Sequence, residues 1–379
     1  MSHARHIVFV HGLLGWGRQD FWGLAPYWGE ALSCFGPQLA PHEAKCGPLS
    51  SLHDRACEIF AQIKGARVDY GAEHSEACGH ARFSRDYAGR GFVPGWSAKS
   101  PVILVGHSAG APTCLKLQSL LAEDFWGVGS SADWIEAVVS IAGALNGSLL
   151  AYQVCDDASG RVSERLSEPV ASTLAVAARL LDDGNRVFDL HLDHWREEER
   201  GSLNAASFVR GADNLACDST LHGARRANEK LLTSPDTYYF SFVTCATHAE
   251  GDAQAVDRGM ALKLRAGARY QAQRADFKAP PLDGWGDGDL AIARWRANDG
   301  AISAVSQRFP LGHPVGGEGV FGREALSPGR WYYENIADAM GVSFDHLDPV
   351  HGGKWKASRA TRQAHRELYR RLDELLARL

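Results

Sequence analysis

A serine between two glycines carries the clearest chemical signal in this chain. The segment Gly-His-Ser-Ala-Gly at 106–110 follows an apolar run at 102–105 and precedes a helix-forming stretch at 113–121. A serine on a sharp strand-to-helix turn needs neighbours without bulk, and the N-terminus of the following helix favours developing negative charge. The pattern therefore predicts Ser108 as a nucleophile.

A serine hydroxyl needs an imidazole to accept its proton and a carboxylate to orient that imidazole. In proteins whose nucleophilic serine lies on a strand-to-helix turn of this type, the acid and then the base follow the serine in the sequence. We predict Asp299, in Asn-Asp-Gly at 298–300, as the acid and His346 as the base. The competing acids are Asp283, Asp287 and Asp289, and the competing base is His351.

The segment His-Gly-Leu-Leu-Gly at 11–15 follows the first apolar run and predicts half of an oxyanion hole. Such a hole takes one backbone N–H from the residue after the nucleophile and one from a loop near the His-Gly pair. The predicted donors are Ala109 and Leu13. His11 itself is interpreted as structural, because the base is expected near the C-terminus.

A second group of residues has the types that bind metal. Asp54 lies on one predicted helix, and His74 and His80 follow within a short segment. Two imidazoles with carboxylates suit a closed, structural zinc site, but spacing this loose also fits a hydrogen-bonded surface histidine pair. Spacing alone leaves both interpretations open.

These residues need a scaffold that gathers loops at one edge. Apolar runs at 6–10, 102–105, 137–142 and 238–243 alternate with helical patterns, which is typical of a parallel sheet with helices on both faces. Loops beyond the carboxyl ends of such strands carry the chemistry. We therefore predict an α/β fold, specifically the α/β-hydrolase fold, as one domain over residues 1–379.

Two segments of that domain are predicted insertions. Residues 51–96 are rich in His, Arg, Gly and Tyr and are too long for a plain connection. Residues 147–185 contain an amphipathic stripe between Pro169 and Gly184. That helix is either an ordinary core-facing helix or a lid whose apolar face covers a substrate cleft.

Composition narrows the class of protein. The formal net charge of -5 over 379 residues supplies no basic field for nucleic acid, and no stretch is apolar enough to suggest a membrane span. Eight cysteines without Cys-x-x-Cys spacing resemble reduced core thiols more than a disulfide framework. With no export signal visible, we predict a cytoplasmic protein; the alternative is a secreted protein numbered without its signal.

Taken together, the segments resemble the zinc-containing bacterial lipases of family I.5, typified by enzymes of Gram-positive thermophiles. The matching segments span most of the chain in order: Phe-Val-His-Gly-Leu-Leu-Gly-Trp-Gly-Arg at 9–18, Gly-Pro-Leu-Ser-Ser at 47–51, Asp-Arg-Ala-Cys-Glu at 54–58, Val-Asp-Tyr-Gly at 68–71, Gly-His-Ala-Arg-Phe at 79–83, Phe-Asp-Leu-His-Leu-Asp-His-Trp at 188–195, Pro-Asp-Thr-Tyr-Tyr at 235–239 and Asp-His-Leu at 345–347.

The resemblance implies an esterase or triacylglycerol lipase with Ser108, Asp299 and His346 at the positions of the family's triad. It also implies one structural zinc ion, because Asp54, His74, His80 and Asp193 match the family's four ligands. The segment 147–185 takes the place of the family's lid. Its substrates would be lipids or other esters, met at a lipid–water interface; the oligomeric state is not readable from the sequence.

Three departures from the family stand out. Members often carry Ala where Gly106 stands. Their calcium site uses an acidic residue two positions after the catalytic histidine, which Asp348 matches, and a later Asp-Pro pair. Here Asp348 is itself followed by Pro349, so no separate pair remains and calcium is not expected. Residues 251–289 match little, which leaves the acyl pocket undefined.

Rival functions follow from the same residues. A polyester depolymerase or a thioesterase would use the same fold and the same nucleophile. A rival of another class is a zinc hydrolase that uses metal-activated water, with Ser108 incidental. A non-catalytic binding protein on the same scaffold is disfavoured by the presence of a candidate nucleophile, base and acid.

Overall fold

The computed structural model describes residues 4–181, 187–197, 201–251, 253–274, 295–321, 325–350 and 359–379. The rival acids Asp283, Asp287 and Asp289 and the rival base His351 lie outside the described residues.

Seven parallel strands form one central sheet, in the order β10-β11-β7-β6-β5-β1-β2. The strands are β1 (Arg5–Val10), β2 (Leu39–Ala44), β5 (Val102–His107), β6 (Ile135–Ile141), β7 (Tyr238–Val243), β10 (Val315–Glu318) and β11 (Trp331–Asn335). Two antiparallel pairs lie outside it: β3 (Arg67–Asp69) with β4 (Phe83–Asp86), and β8 (Thr247–Glu250) with β9 (Ala253–Val256). The four predicted runs became β1, β5, β6 and β7.

Helices cover both faces of the sheet, because each strand alternates its side chains between two cores. Val8 and Leu104 point towards the helices that begin at Leu52 and Gly110, whereas Phe9 and Val105 point towards the helix at Arg359–Leu376. The described helices are α1 (Leu52–Lys64), α2 (Ala72–Cys78), α3 (Gly110–Ala122), α4 (Glu164–Leu181), α5 (Ala205–Arg210), α6 (Leu215–Asp218), α7 (Leu221–Glu229), α8 (Leu262–Arg274), α9 (Ile336–Met340) and α10 (Arg359–Leu376).

The segment 51–96 begins in the core rather than outside it. Its first helix, α1, is buried along most of its length and packs in the same core as α3. Ser51 caps α1 by accepting a hydrogen bond from the Asp54 N–H, and Gly65 ends it in a left-handed conformation at φ 75°. The part of segment 51–96 that lies outside the core is therefore the β3–α2–β4 unit, which contains His74 and His80.

The segment 147–185 contains α4, which begins at Glu164, a turn before Pro169. Its inner residues Ala171, Leu174 and Ala178 pack in a cluster with Trp195 and Phe208. Its other face leaves Val176 and Leu180 in solvent. Residues 182–185, at the end of the predicted insertion, lie outside the described part of the chain. Whether α4 moves as a lid stays a proposal.

Candidate active site and metal cluster

Ser108 lies on a strained turn at the carboxyl end of β5. Its φ is +57°, a left-handed conformation that is uncommon for a residue with a side chain. A Cβ at Gly106 would lie 2.4 Å from the Ala111 nitrogen, and one at Gly110 would lie 2.1 Å from the Val10 carbonyl oxygen. In this backbone a Cβ at either position would overlap neighbouring main-chain atoms, which explains the small residues of the motif.

The predicted nucleophile, base and acid form one continuous hydrogen-bonded chain. Ser108 Oγ lies 3.0 Å from His346 Nε2, and His346 Nδ1 lies 2.8 Å from Asp299 Oδ2. All three side chains are buried, with Ser108 and His346 each 7% exposed at the residue level. This arrangement can pass the serine proton to the imidazole while the carboxylate holds the imidazole in place.

Asp299 is fully buried and held by donors on both oxygens. Oδ1 accepts hydrogen bonds from the backbone N–H groups of Ala301 and Ile302, at 2.9 and 2.8 Å. Oδ2 accepts from the Thr244 hydroxyl at 2.7 Å and from Gln307 at 3.2 Å, in addition to His346. A charged carboxylate can remain buried here because these donors replace the lost water.

Two backbone N–H groups, one in the residue after the serine and one in the loop beside it, have no acceptor in the described part of the chain. Among the described residues, no acceptor takes the N–H of Leu13 or of Ala109. Gly12 brings the Leu13 loop close, since a Cβ on Gly12 would lie 3.1 Å from Ser108 Oγ. Two donors beside a nucleophilic oxygen are what an oxyanion needs.

His107 links the loop of Gly12 and Leu13 to the loop of His346. Burial, together with the nearby His346, lowers the pKa of His107 well below its usual value, so its ring is neutral. Its Nε2–H donates to the His346 carbonyl oxygen at 2.9 Å, and its Nδ1 accepts from the Tyr27 hydroxyl at 2.7 Å. Tyr27 in turn accepts the Gly12 N–H at 3.1 Å.

His11 lies beneath the site, away from the reacting atoms. Its Nε2 accepts the Cys46 N–H at 3.3 Å. Burial and the neighbouring Arg55 lower the pKa of His11 well below its usual value. Arg55, itself buried, donates to the carbonyl oxygens of His11 and Gly47 and to the Thr113 hydroxyl. These contacts connect α1 and α3 to the end of β1 and support a structural role for His11.

The predicted metal residues Asp54, His74 and His80 also come together. His74 Nε2 lies 3.1 Å from Asp54 Oδ1, and His80 Nε2 lies 3.9 Å from the same oxygen. Asp213 completes the group, with its two oxygens 3.4 Å from His74 Nε2 and 3.2 Å from His80 Nε2.

The structure does not bring Asp193 into this cluster, which corrects the predicted fourth ligand. Asp193 begins a short turn that turns its carboxylate outwards, where it pairs with Arg85. The next residue points inwards instead: His194 Nε2 lies 3.0 Å from Asp54 Oδ2. Asp213 was missed because no His or Cys stands beside it in the sequence. Its one local signal is the Asp-Asn pair at 213–214 before a short helix, which is common at helix starts.

The cluster fits a divalent cation by its charge and by its unpaired atoms. Burial favours the neutral acid, yet the neighbouring imidazoles lower the pKa of Asp54 and of Asp213. In spite of the burial of its ring, hydrogen bonds to Asp213 and Asp54 raise the pKa of His74 to about 12. His80 Nε2 and Asp213 Oδ2 are buried and have no hydrogen-bond partner among the described residues. Two anionic carboxylates beside two imidazoles provide the charge and the ligand types that suit zinc.

The comparisons with known proteins first define the class. The crystal structure of Staphylococcus hyicus lipase superposes with a TM-score of 0.77 at 23% identity, covering 99% of this chain and 95% of that one. EstA from Clostridium botulinum gives 0.73 at 24% identity over 100% and 88% of the two chains, and lipase 1 from Pelosinus fermentans gives 0.68 at 26% over 99% of both. The predicted α/β-hydrolase fold is confirmed.

Within that class, the sequence is similar to bacterial lipases. The family described as "Lipase-like, C-terminal domain" matches residues 3–125. The lipase of Staphylococcus hyicus is 25% identical over 92% of this chain and 51% of its own length. Lipase 2 of Staphylococcus aureus is 26% identical over 81% of this chain and 45% of its own. The predicted resemblance to the family I.5 lipases is confirmed, and the chain spans about half the length of these curated relatives.

Three further expectations concern calcium, membranes and compartment. Asp348 Oδ2 accepts the Asp345 N–H at 2.8 Å, and the expectation of no calcium stays a prediction. Of the helices in the described part of the chain, none combines the length and the hydropathy that crossing a bilayer requires. All eight cysteines are free thiols in this structure, and the compartment stays a prediction.

Proposed function

We propose that this chain is a carboxylic ester hydrolase, a triacylglycerol lipase or esterase that works through an acyl-enzyme on Ser108. The observation that carries the proposal is the hydrogen-bonded series Ser108–His346–Asp299, with spacings of 3.0 and 2.8 Å, on a turn with two unused N–H donors beside it. The relatives that are named lipases support the same class of substrate.

In the proposed reaction, His346 Nε2 takes the Ser108 proton while Oγ attacks the ester carbonyl. The N–H groups of Leu13 and Ala109 stabilise the oxyanion, and the protonated imidazole then passes its proton to the departing alcohol. Water enters, gives a proton to His346 and releases the acid from Ser108. Asp299 stabilises the imidazolium in both halves of the cycle.

The surface near the oxyanion loop supports an ester with an apolar acyl chain. Leu13 and Leu14 are 47% and 57% exposed, and Trp22 and Leu24 of the same loop region are 65% and 74% exposed. Solvent-exposed apolar side chains grouped near a catalytic loop favour contact with a lipid surface.

We also propose that Asp54, His74, His80 and Asp213 hold one structural zinc ion. When bound, the ion would link α1, the β3–α2–β4 unit and the segment before α6, because each of them provides at least one of its ligands. Four protein donors leave a zinc site closed, which favours a stabilising role over a catalytic one.

The test is Ser108→Ala against a matched control, Ser33→Ala, an exposed serine remote in sequence from the triad. We expect Ser108→Ala to lose at least about 10³-fold in kcat/KM on p-nitrophenyl esters, because the nucleophile is gone. Ser33→Ala should retain wild-type activity. An irreversible serine-directed phosphonate should inactivate the native chain, and full activity in Ser108→Ala would refute the proposal. Emulsified triacylglycerols, thioesters and polyesters, compared on the native chain, separate lipase from its rivals.

A further inference from the structure

Two cysteines that are far apart in sequence meet at the base of the predicted lid segment. Cys155 follows the short helical turn Leu149–Gln153, and Cys217 lies in α6. Both residues are buried, with Cys155 4% exposed and Cys217 fully enclosed, and both are free thiols. The mechanism proposed for ester hydrolysis uses neither of them.

Three contacts place the two sulfur atoms next to each other. Cys155 Sγ lies 3.6 Å from the carbonyl oxygen of Ala216, the residue before Cys217. Val162 pairs with Cys155 in an isolated β-bridge, and its backbone N–H donates a hydrogen bond to the sulfur of Cys217. The thiols of Cys155 and Cys217 are also hydrogen-bonded to each other. Small side-chain rotations are therefore enough to bring the two sulfur atoms to bonding distance.

The two thiols differ in their readiness to ionise. The hydrogen bond between them raises the pKa of Cys155, and burial adds to the rise. The same hydrogen bond lowers the pKa of Cys217 to about 7 in spite of burial, with help from the Val162 N–H. Cys217 is therefore the thiolate of the pair, and Cys155 is the protonated thiol beside it. A cysteine of low pKa next to a second cysteine is the arrangement found in reversible redox sites.

A surface loop covers the pair and gives a small oxidant a route to it. The loop at 153–161 leaves Val154, Asp156 and Ser159 exposed on either side of the buried sulfur of Cys155. Loops of this kind open locally at a much lower free energy than the whole fold. Cys155 and Cys217 can thus be reached without unfolding of the domain.

We propose that Cys155 and Cys217 form a reversible disulfide when the chain meets hydrogen peroxide. The Cys217 thiolate attacks one peroxide oxygen, the O–O bond breaks, and the hydroxide that leaves takes a proton from solvent to become water. The sulfenic acid left on Cys217 is then attacked by the sulfur of Cys155, whose proton departs with the displaced hydroxide as a second water. The two thiols lose two electrons, and the peroxide gains them.

The disulfide closes a loop of the chain that begins at Cys155, contains α4 and ends at Cys217. A cross-link around so long a loop stabilises the fold by restricting the unfolded chain. It also ties the segment that leads into α4 to α6. Oxidation therefore raises Tm and limits how far the start of α4 moves from α6.

The experiment maps the thiols of the full chain after oxidation. The reduced chain is treated with hydrogen peroxide, alkylated and digested without reductant, and the peroxide is raised until the half-buried Cys34 is oxidised. Mass spectrometry should find the peptides of Cys155 and Cys217 joined by a disulfide, and dithiothreitol should release them. The oxidised chain should melt several degrees above the reduced chain.

Two variants serve as controls. Cys34→Ser lies outside the pair and should keep both the joined peptides and the rise in Tm. Cys155→Ser should lose both, because the second sulfur is gone, and should leave on Cys217 a sulfenic acid that a cyclic 1,3-diketone traps.

The native chain alone decides the inference, so it does not depend on whether a variant folds. Alkylated Cys155 and Cys217 in a sample whose Cys34 is oxidised would overturn it, and so would a disulfide from either one to a different cysteine. An unchanged Tm in a chain that carries the bond would overturn the stabilising effect. Ester hydrolysis is not measured in this experiment, and its result is therefore independent of the proposed function.

Discussion

Glu43 is a half-buried acid on the edge strand β2, and its buried Oε1 has no hydrogen-bond partner among the described residues. Burial, strengthened by the nearby Asp20, raises the pKa of Glu43 to about 7, although Arg18 opposes the shift. An unfolded glutamate ionises near pH 4.3. The folded state therefore binds this proton more tightly than the unfolded state, and the chain loses stability as pH rises from about 4 to about 7.

Glu43→Gln removes this charge, so we expect the variant to be about 1–2 kcal/mol more stable than the native chain at pH 8, with a smaller gain at pH 5. Urea unfolding at the two pH values measures the difference. The exposed Glu123→Gln, at the end of α3, is the control and should change stability little at either pH. An equal gain for Glu43→Gln at both pH values would show that ionisation of Glu43 is not the cause.

Also at the scale of residues, sequence patterns located the proposed triad better than the metal ligands. Ser108 and Asp299 lie in short motifs whose residues determine the shape of the local backbone. The local sequence was therefore enough to predict their positions in the proposed triad. The predicted fourth metal position, Asp193, depended on which way one turn faces, and the position that joins the cluster, Asp213, lies elsewhere in the chain. Asp193 and His194 are neighbours on the same turn, and only the fold decides that the histidine points inwards and the carboxylate meets Arg85.

At the scale of elements, four of the five inner strands of the sheet were predictable, whereas the inner strand β11 and the two edge strands were not. The strands β1, β5, β6 and β7 lie inside the sheet and are buried on both faces, so they read as continuous apolar runs. The edge strand β2 contains Pro41 and Glu43, and the edge strand β10 reads Val-Gly-Gly-Glu. Edge strands need neither an apolar run nor a full set of N–H donors, so nothing in their sequence marked them.

Helix α4 has features of both predicted roles of the amphipathic segment, a core-facing helix and a lid. Its inner face is core, with Leu174 only 8% exposed, and its outer face presents Val176 and Leu180 at 57% and 68% exposure. A core helix explains the inner stripe alone. A lid that meets lipid also explains why apolar side chains remain on the outside.

Two variants of α4 separate these roles. We expect Leu174→Ala to cost about 2–4 kcal/mol of unfolding free energy, because it leaves a cavity beside Trp195. The double variant Val176→Ser with Leu180→Ser should change stability by no more than about 0.5 kcal/mol. It should lower the ratio of activity on emulsified triacylglycerol to activity on a soluble short ester several-fold. Arg179→Ser on the same helix is the control, and an unchanged ratio in the double variant would argue against lipid contact by α4.

At the scale of the whole molecule, the metal cluster joins parts of the chain that are far apart in sequence. Asp54 belongs to α1, His74 to α2, and Asp213 to the segment before α6. A ligand that binds only the folded state stabilises it in proportion to the logarithm of its concentration over Kd. The ion proposed to bind this cluster would therefore stabilise the entire fold.

Metal removal should lower Tm without abolishing catalysis. At a free zinc concentration about 1,000-fold above Kd, binding adds about 4 kcal/mol, and a chelator removes that contribution. Hydrolysis of a soluble ester, measured well below the lowered Tm, should continue. Asp213→Asn should melt at a lower temperature and respond little to the chelator. Equal Tm values with and without chelator in the zinc-loaded native chain would contradict this role.

The contacts of His107 carry a consequence for engineering. The residue before the nucleophile is a tempting position to randomise when a new selectivity is wanted. In this protein one neutral ring holds the backbone of the proposed base, His346, from one nitrogen and, through Tyr27, the proposed oxyanion loop from the other. A library at position 107 would mostly sample misaligned catalysts, whereas Leu13 and Leu14 offer solvent-facing side chains that can be varied without loosening that shared support.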